Sequence, residues 1–331
     1  MKILLNIFSL SYLLLIGIAI GIVAFVIVFQ MPGPIDQDTD IQVHRGQGVR
    51  AIAQMLQDKD IIINAYPFIL GTRIKNNGKP LQAGEFSIPK GASISQILDI
   101  LQKGKTIQRK FTIPEGKTSY EIVQILKQND FLAGDIDTMP AEGSLMPDTY
   151  FFAKGDTRLE KISRMQSAMI DFTTQLDQTA LKSLPLETVE EVMILASIVE
   201  KETSVPNEYK KVAGVFINRL NIGMPLQTDP TVIYGITMGH HKNNGKGPLG
   251  RRLLTKDLRK DTPYNTYTRR GLPPTPISNP GRAAIEAILS PTTHDYLYFV
   301  ADGTGGHAFA KTLDEHNTNV SKWRKIRRNK K

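Results

Sequence analysis

From Ile3 to Phe29 the chain carries no charged residue, and from Leu13 to Phe29 every residue is apolar or glycine. At about 1.5 Å per helical residue this run is long enough to cross a hydrocarbon core of roughly 30 Å, so it reads as a membrane helix. A cleaved signal peptide needs an apolar region of about 7 to 15 residues with a small-x-small site at its end. Here Ala19-Ile20-Gly21 lies inside the run, and cleavage there would leave Ile22 to Phe29 exposed. The expectation is an uncleaved single-pass anchor over residues 1–30. Lys2 precedes the run and Asp36, Asp38 and Asp40 follow it, so the positive-inside rule puts the bulk of the chain outside the cytoplasm. Gly17 and Gly21 form a small-xxx-small pair, which packs helices in some spans and is merely common in others.

The 331 residues leave room for about two folded units at roughly 150 residues each. With no cysteine, disulfides, thiolate zinc sites, iron–sulfur clusters and cysteine nucleophiles are excluded. The net charge is +9, but Lys322, Arg324, Lys325, Arg327, Arg328, Lys330 and Lys331 supply most of it. The basic character therefore belongs to a C-terminal tail, and the folded body makes no case for nucleic-acid binding. His240 and His241 are adjacent, and His294, His307 and His316 lack the His-Glu-x-x-His spacing that sets two ligands on one helix face. The glycine-rich stretch from Gly239 to Gly250 lacks a Gly-Lys-Ser/Thr ending, and Gly-x-Ser-x-Gly is absent. No metal or cofactor is expected.

Met31 to Asp40, with two prolines and three aspartates, reads as a stalk over residues 31–40, with folded structure starting near Ile41. Three stretches then share one pattern: Val43, Gly46, Ile52, Leu56; Ile88, Gly91, Ile97, Leu101; and Ile113, Gly116, Ile122, Leu126. Each is consistent with a strand, a tight turn that needs glycine, and an amphipathic helix, with Ser93 and Thr118 as helix starts. Such units occur in many α+β domains. Their repetition also resembles a LysM-like glycan-binding module, assigned to residues 41–110. A mostly polar helix is expected between Asp156 and Leu176.

The informative segment begins near Pro185. Thr188 and Glu191 have capping-box spacing, and Glu191, Leu195, Ile198 and Glu202 then share one helical stripe, with Pro206 as its limit. A second helix from about Asn207 to Asn221 is amphipathic through Val212, Phe216 and Leu220, with Gly223 as its C-cap. The Gly239–Gly250 loop is expected to be mobile. Tyr296–Ala301 and Gly305–Phe309 read as a hairpin. The fold class is α+β: a transmembrane helix, a small LysM-like module, and a larger α+β catalytic domain over residues 111–321, followed by a basic tail, 322–331.

Glu202 extends an apolar stripe at the end of a helix that reads as buried. Desolvation there raises a carboxyl pKa, which suits a general acid acting on a glycosidic oxygen near neutral pH. The plain alternative is a pair of solvated glutamates flanking Lys201, and periodicity only ranks Glu202 above Glu200. Asp229 before Pro230, and Asn279 before Pro280, have N-cap chemistry as well as binding chemistry. Tyr264, Asn265 and Tyr267 could stack on sugar rings or bond acetamido groups, or simply belong to a core.

The blocks Ala196-Ser197-Ile198-Val199-Glu200-Lys201-Glu202-Thr203, Val215-Phe216-Ile217-Asn218-Arg219-Leu220 and Leu226-Gln227-Thr228-Asp229-Pro230-Thr231-Val232-Ile233-Tyr234-Gly235 resemble the YceG-like family of endolytic murein transglycosylases. The resemblance continues through Tyr264-Asn265-Thr266-Tyr267, Gly271-Leu272-Pro273-Pro274, Tyr296-Leu297-Tyr298-Phe299-Val300-Ala301-Asp302-Gly303 and Glu315-His316-Asn317. It implies cleavage of the β-1,4 bond between N-acetylmuramic acid and N-acetylglucosamine in nascent peptidoglycan, leaving 1,6-anhydro-muramyl ends and ending strand elongation. It also implies that Glu202 is the catalytic acid and base, and makes Gln227, Asp229, Tyr264, Asn265 and Asn279 candidates for positioning sugars. The implied partners are peptidoglycan glycan strands and peptidoglycan synthases. The implied location is the cytoplasmic (inner) membrane, with the catalytic domain on its extracytoplasmic, periplasmic side. Two other readings compete: a non-catalytic glycan-binding scaffold, and a polyanion binder working through residues 322–331.

Overall fold

The computed structural model describes residues 2–76, 81–240 and 248–329. Most of the Gly239–Gly250 loop expected to be mobile, His241 included, lies outside the described residues. The chain divides into two compact units, residues 1–110 with 151–155, and residues 111–150 with 156–331.

The first unit contains α1 (Lys2–Gln30), β1 (Thr39–Val43), α2 (Val49–Asp58), α3 (Ala65–Asn76), β2 (Gly84–Ile88) and α4 (Ile94–Lys103). β1 and β2 are antiparallel, with Ile41 opposite Phe86 and Thr39 opposite Ile88. Ile52, Leu56, Phe68, Ile97 and Leu101 pack beneath them, fully buried. Phe29 at the end of α1 belongs to this same core, with Phe25 packed beside it. The stalk expectation needs correction. The Gly33 N–H donates to Gly91 O at 3.2 Å, the Gly91 N–H donates to Ile35 O at 3.0 Å, and β1 already begins at Thr39. Backbone pairing to the turn after β2 therefore holds this segment in the fold.

All three repeats have the expected form. Gly46, Gly91 and Gly116 turn the chain at φ of 80°, 65° and 70°, a region in which only glycine is unstrained. Their apolar positions are all buried. Ser93 and Thr118 cap their helices, each in a complete capping box. The first two repeats pair their strands with each other, whereas the helix of the third belongs to the second unit.

The second unit opens at the end of β3 (Arg109–Thr112) and continues through α5 (Ser119–Lys127), the first half of β4 (Thr149–Phe152), α6 (Arg158–Thr174), α7 (Val189–Glu202), α8 (Tyr209–Asn221), α9 (Asp229–Thr237), α10 (Thr255–Leu258), α11 (Arg282–Leu289), β5 (Tyr298–Ala301), β6 (His307–Ala310) and α12 (Leu313–Asn329). α7 is its axis and packs against α8, α9 and α11. Every residue from Val192 to Val199 is buried, as an all-round apolar helix must be. The stripe through Leu195 and Ile198 is therefore no more buried than the rest of the helix. Thr188 caps α7 by accepting from the Glu191 N–H at 3.2 Å, but the Glu191 carboxylate accepts from the Glu187 N–H, so the box is half formed. The β5–β6 hairpin pairs Phe299 with Phe309. The residues read as a separate basic tail continue α12 as far as Asn329.

Candidate active site

The last turn of α7 sends three consecutive side chains to three places. Glu200 accepts from the Tyr209 hydroxyl at 2.8 Å and from the Gly281 N–H, just ahead of α11, at 2.9 Å. Lys201 donates to Gly116 O at 3.1 Å. Glu202, the final residue of the helix, faces a cleft that it shares with Phe216, Arg219, Gln227, Asp229, Tyr267 and Tyr298. Burial raises the carboxyl pKa of Glu200. It raises that of Glu202 further, to about 7, with the nearby Asp229 carboxylate adding to the shift and the Thr228 hydroxyl and Arg219 opposing it. At neutral pH the Glu202 carboxyl is thus poised between acid and base.

The cleft, about 460 Å³, lies between the α8–α9 connection and the hairpin-plus-α12 segment. Arg219 braces the two: its Nε donates to Leu297 O at 2.7 Å and its Nη1 to Leu226 O at 2.6 Å. Its guanidinium lies 5.5 Å from the Tyr298 ring centre, and Tyr298 in turn lies 5.4 Å from the His316 ring. Burial and the Arg219 charge lower the His316 pKa, so this imidazole is neutral at pH 7. Its Nδ1 is buried with no hydrogen-bond partner. On the other wall, Gln227 has φ of 49°. That value is uncommon for a non-glycine residue, and it leaves the side chain exposed in the cleft while the Gln227 N–H donates to Thr266 O. The Tyr267 hydroxyl donates to Asp229 Oδ1 at 2.7 Å.

Two of the five sugar-positioning candidates, Gln227 and Asp229, thus share the cleft with Glu202. Asp229 is not the N-cap: that position is Thr228, whose side chain makes no cap bond, and Asp229 is the first helical residue. The other three are corrected by their partners. Asn279 is fully buried; its amide donates to Lys117 O and Ser119 Oγ and accepts from the Leu145 N–H. Asn265 is equally buried, donating to Leu258 O and Lys260 O and accepting from the Tyr267 N–H. Tyr264 packs against Tyr234 in the core, and its hydroxyl pairs with Thr275 Oγ1 at 2.8 Å. Every polar atom a sugar would need on the two asparagines is already engaged. Sequence reasoning gave no role to Arg219, Tyr298 or His316. Arg219 had a signal, a charge three residues beyond Phe216 and so close to the apolar face of α8.

The profile of the YceG-like family matches residues 41–322. The chain belongs to this family. A YceG-like relative from Bacillus subtilis strain 168, named endolytic murein transglycosylase, is 34% identical over 327 residues, covering 88% of this chain and 87% of its own. A relative of the same name from Streptococcus pneumoniae R6 is 31% identical, and there the match covers 87% of this chain but 59% of the longer relative. A crystal structure of a yceG-like protein from Listeria monocytogenes aligns over 86% of this chain and 99% of its own, with 33% identity and a TM-score of 0.49. The family match and the two named relatives bear out the resemblance carried by the motif blocks. Those blocks also supply the walls of the cleft, from Glu202 through Arg219, Gln227 and Asp229 to Tyr298 and His316.

Proposed function

We propose that this YceG-like chain is an endolytic murein transglycosylase in which Glu202 serves as both acid and base. It cuts the β-1,4 bond between N-acetylmuramic acid and N-acetylglucosamine inside nascent strands. The observation that carries the assignment is a carboxyl group raised to about 7, at a helix end, in a cleft walled by the family's motif blocks. In the first step the Glu202 proton passes to the glycosidic oxygen while the C1–O bond breaks through an oxocarbenium-like state. In the second, the Glu202 carboxylate takes the proton of the muramyl 6-hydroxyl while that oxygen bonds to C1. The 1,6-anhydro end forms, the acid is restored, and no water is consumed. Gln227, Asp229, Tyr267 and Tyr298 are placed to hold the sugars, with Tyr298 offering a ring face. Neutral His316 has a nitrogen to spare for a hydroxyl or amide.

The N-terminal apolar helix fits a single-pass membrane anchor. An uncleaved anchor is favoured because cleavage at Ala19-Ile20-Gly21 would leave the exposed apolar residues Ile22, Val23, Val26 and Ile27 in water. We place the remainder outside the cytoplasmic membrane, where peptidoglycan strands and their synthases are, with the first unit serving as a LysM-like glycan holder.

The test uses the full chain in detergent micelles with uncrosslinked glycan strands, with products read by mass spectrometry. Wild type should yield anhydro-muramyl ends and Glu202→Gln none, while Glu200→Gln, if folded, should keep the reaction. A second carboxylate, Asp229, lies in the cleft and makes a hydrolase the competing reading. Reducing ends that carry oxygen from labelled water would establish that reading and remove the single-carboxyl mechanism. Strand binding without cleavage would favour the scaffold.

A further inference from the structure

We infer that the first unit makes a second, peripheral contact with the bilayer. The outward face of α3, together with Ile63 just before it, lies in the interfacial layer of the membrane that α1 spans. The inference rests on α1 being a membrane span. α3 is apolar on two sides. Phe68 and Thr72 are buried in the unit's core, whereas Ile63, Tyr66, Leu70 and Ile74 are 70%, 79%, 46% and 63% exposed. The spacing of Tyr66, Leu70 and Ile74 places these three on one stripe of the helix, with Ile63 just ahead of it.

α1 indicates what covers that stripe. A Cβ on Gly71 would fall 2.2 Å from the Phe29 ring, so α3 meets the end of the span at contact distance. Tyr66 and Leu70 line a groove together with Phe25. Ile63 and Tyr66 line another together with Val28 and Met31. The exposed stripe is therefore continuous with the apolar surface of the membrane helix. The candidate span is Tyr12–Gln30, and Phe29 at its end is already buried in the core of the first unit, so the span leaves the hydrocarbon there and α3, beside it, sits at headgroup depth. Tyrosine suits that depth. Arg50 and Arg73, exposed at the rim of the Phe25 groove, suit anionic phospholipid headgroups. The partner is thus an anionic bilayer, and the contact holds this unit flat on the surface instead of swivelling about its anchor.

The cysteine-free chain permits a direct test. Tyr66→Cys, Leu70→Cys and Ile74→Cys would each carry an environment-sensitive fluorophore in the full chain, reconstituted into phosphatidylcholine–phosphatidylglycerol vesicles containing lipids with a shallow nitroxide. Ile16→Cys reports the span, and Lys103→Cys, about 14 Å along α4 from Ile94, reports the far end of the unit. The expected result is at least twofold stronger quenching at 66, 70 and 74 than at 103. Quenching no greater than at 103, with position 16 quenched by deep nitroxides, overturns the inference and leaves the anchor intact. If position 16 is not quenched, anchor and inference fall together. A blue shift without quenching that vanishes on dilution with protein-free lipid would assign the stripe to a second copy, and overturn the proposal.

Discussion

Glu200 and Glu202 are two residues apart, and burial pushes both carboxyl groups above their ordinary value. What separates them is engagement: Glu200 holds Tyr209 and the N–H of Gly281, whereas Glu202 faces the cleft. Because the Glu202 pKa in the folded state is about 7 against 4.5, the native protein binds more protons than the unfolded chain in that window. Stability attributable to this group therefore falls as pH rises from about 4.5 to about 7. Glu202→Gln should abolish turnover yet raise the melting temperature at pH 8 by about 2 °C or more, with little change at pH 4.5, as checked by thermal melts. The wild-type kcat/KM should fall above pH ~7 as the acid ionises. Asn279→Ala should cost about 2–3 kcal/mol in denaturant unfolding, because it strands buried partners, while leaving KM unchanged in the folded enzyme. A raised KM would return Asn279 to the binding site. Arg219→Lys cannot span Leu226 O and Leu297 O with one planar fork, so kcat/KM should drop about tenfold or more in steady-state assays.

Elements that announce themselves chemically were legible in the chain. Ser93, Thr118 and Thr188 have short hydroxyl side chains ahead of apolar periodicity, and each caps its helix. The β5–β6 hairpin was legible from two apolar runs around Asp302 and its glycines. Two helices were harder to read. α3 has apolar residues on opposite faces and a proline within its first turn, so no single stripe marks it. α7 is buried on every side, and its periodicity does not identify the face that matters. Thr118 has two tasks, accepting from the Glu121 N–H and donating to Gly239 O at 2.8 Å. Thr118→Ala should cost about 1–2 kcal/mol, as measured by urea denaturation. Serine at this position should recover most of that loss.

At the scale of the molecule, the N-terminal apolar helix is part of a folded unit. Phe29 is 9% exposed in the core of the first unit, so Phe29→Ala should remove about 3 kcal/mol from it through lost burial and a residual cavity. Calorimetry of the full chain should show the transition carried by this unit moving to lower temperature while that of the second unit stays in place. A common downward shift would mean that the units unfold as one. The C-terminal basic residues are likewise not an appendage, since α12 carries His316 at one end and the arginines and lysines at the other.

The order of apolar, polar and glycine residues was enough to determine the long N-terminal apolar helix, the three strand–turn–helix units and the motif blocks that mark the family, because each depends on neighbours within a few turns of chain. It also ranked Glu202 above Glu200. Which candidates stand in the cleft was decided only by the tertiary fold. Asn265 and Asn279 have side chains suited to sugars, but backbone carbonyls occupy them first, those of nearby Leu258 and Lys260 for Asn265 and that of distant Lys117 for Asn279. Arg219 and His316 meet across the cleft from helices almost a hundred residues apart. Competition for hydrogen-bond partners and the exclusion of water are properties of the packed chain, and they separate a structural amide from one left free to bind.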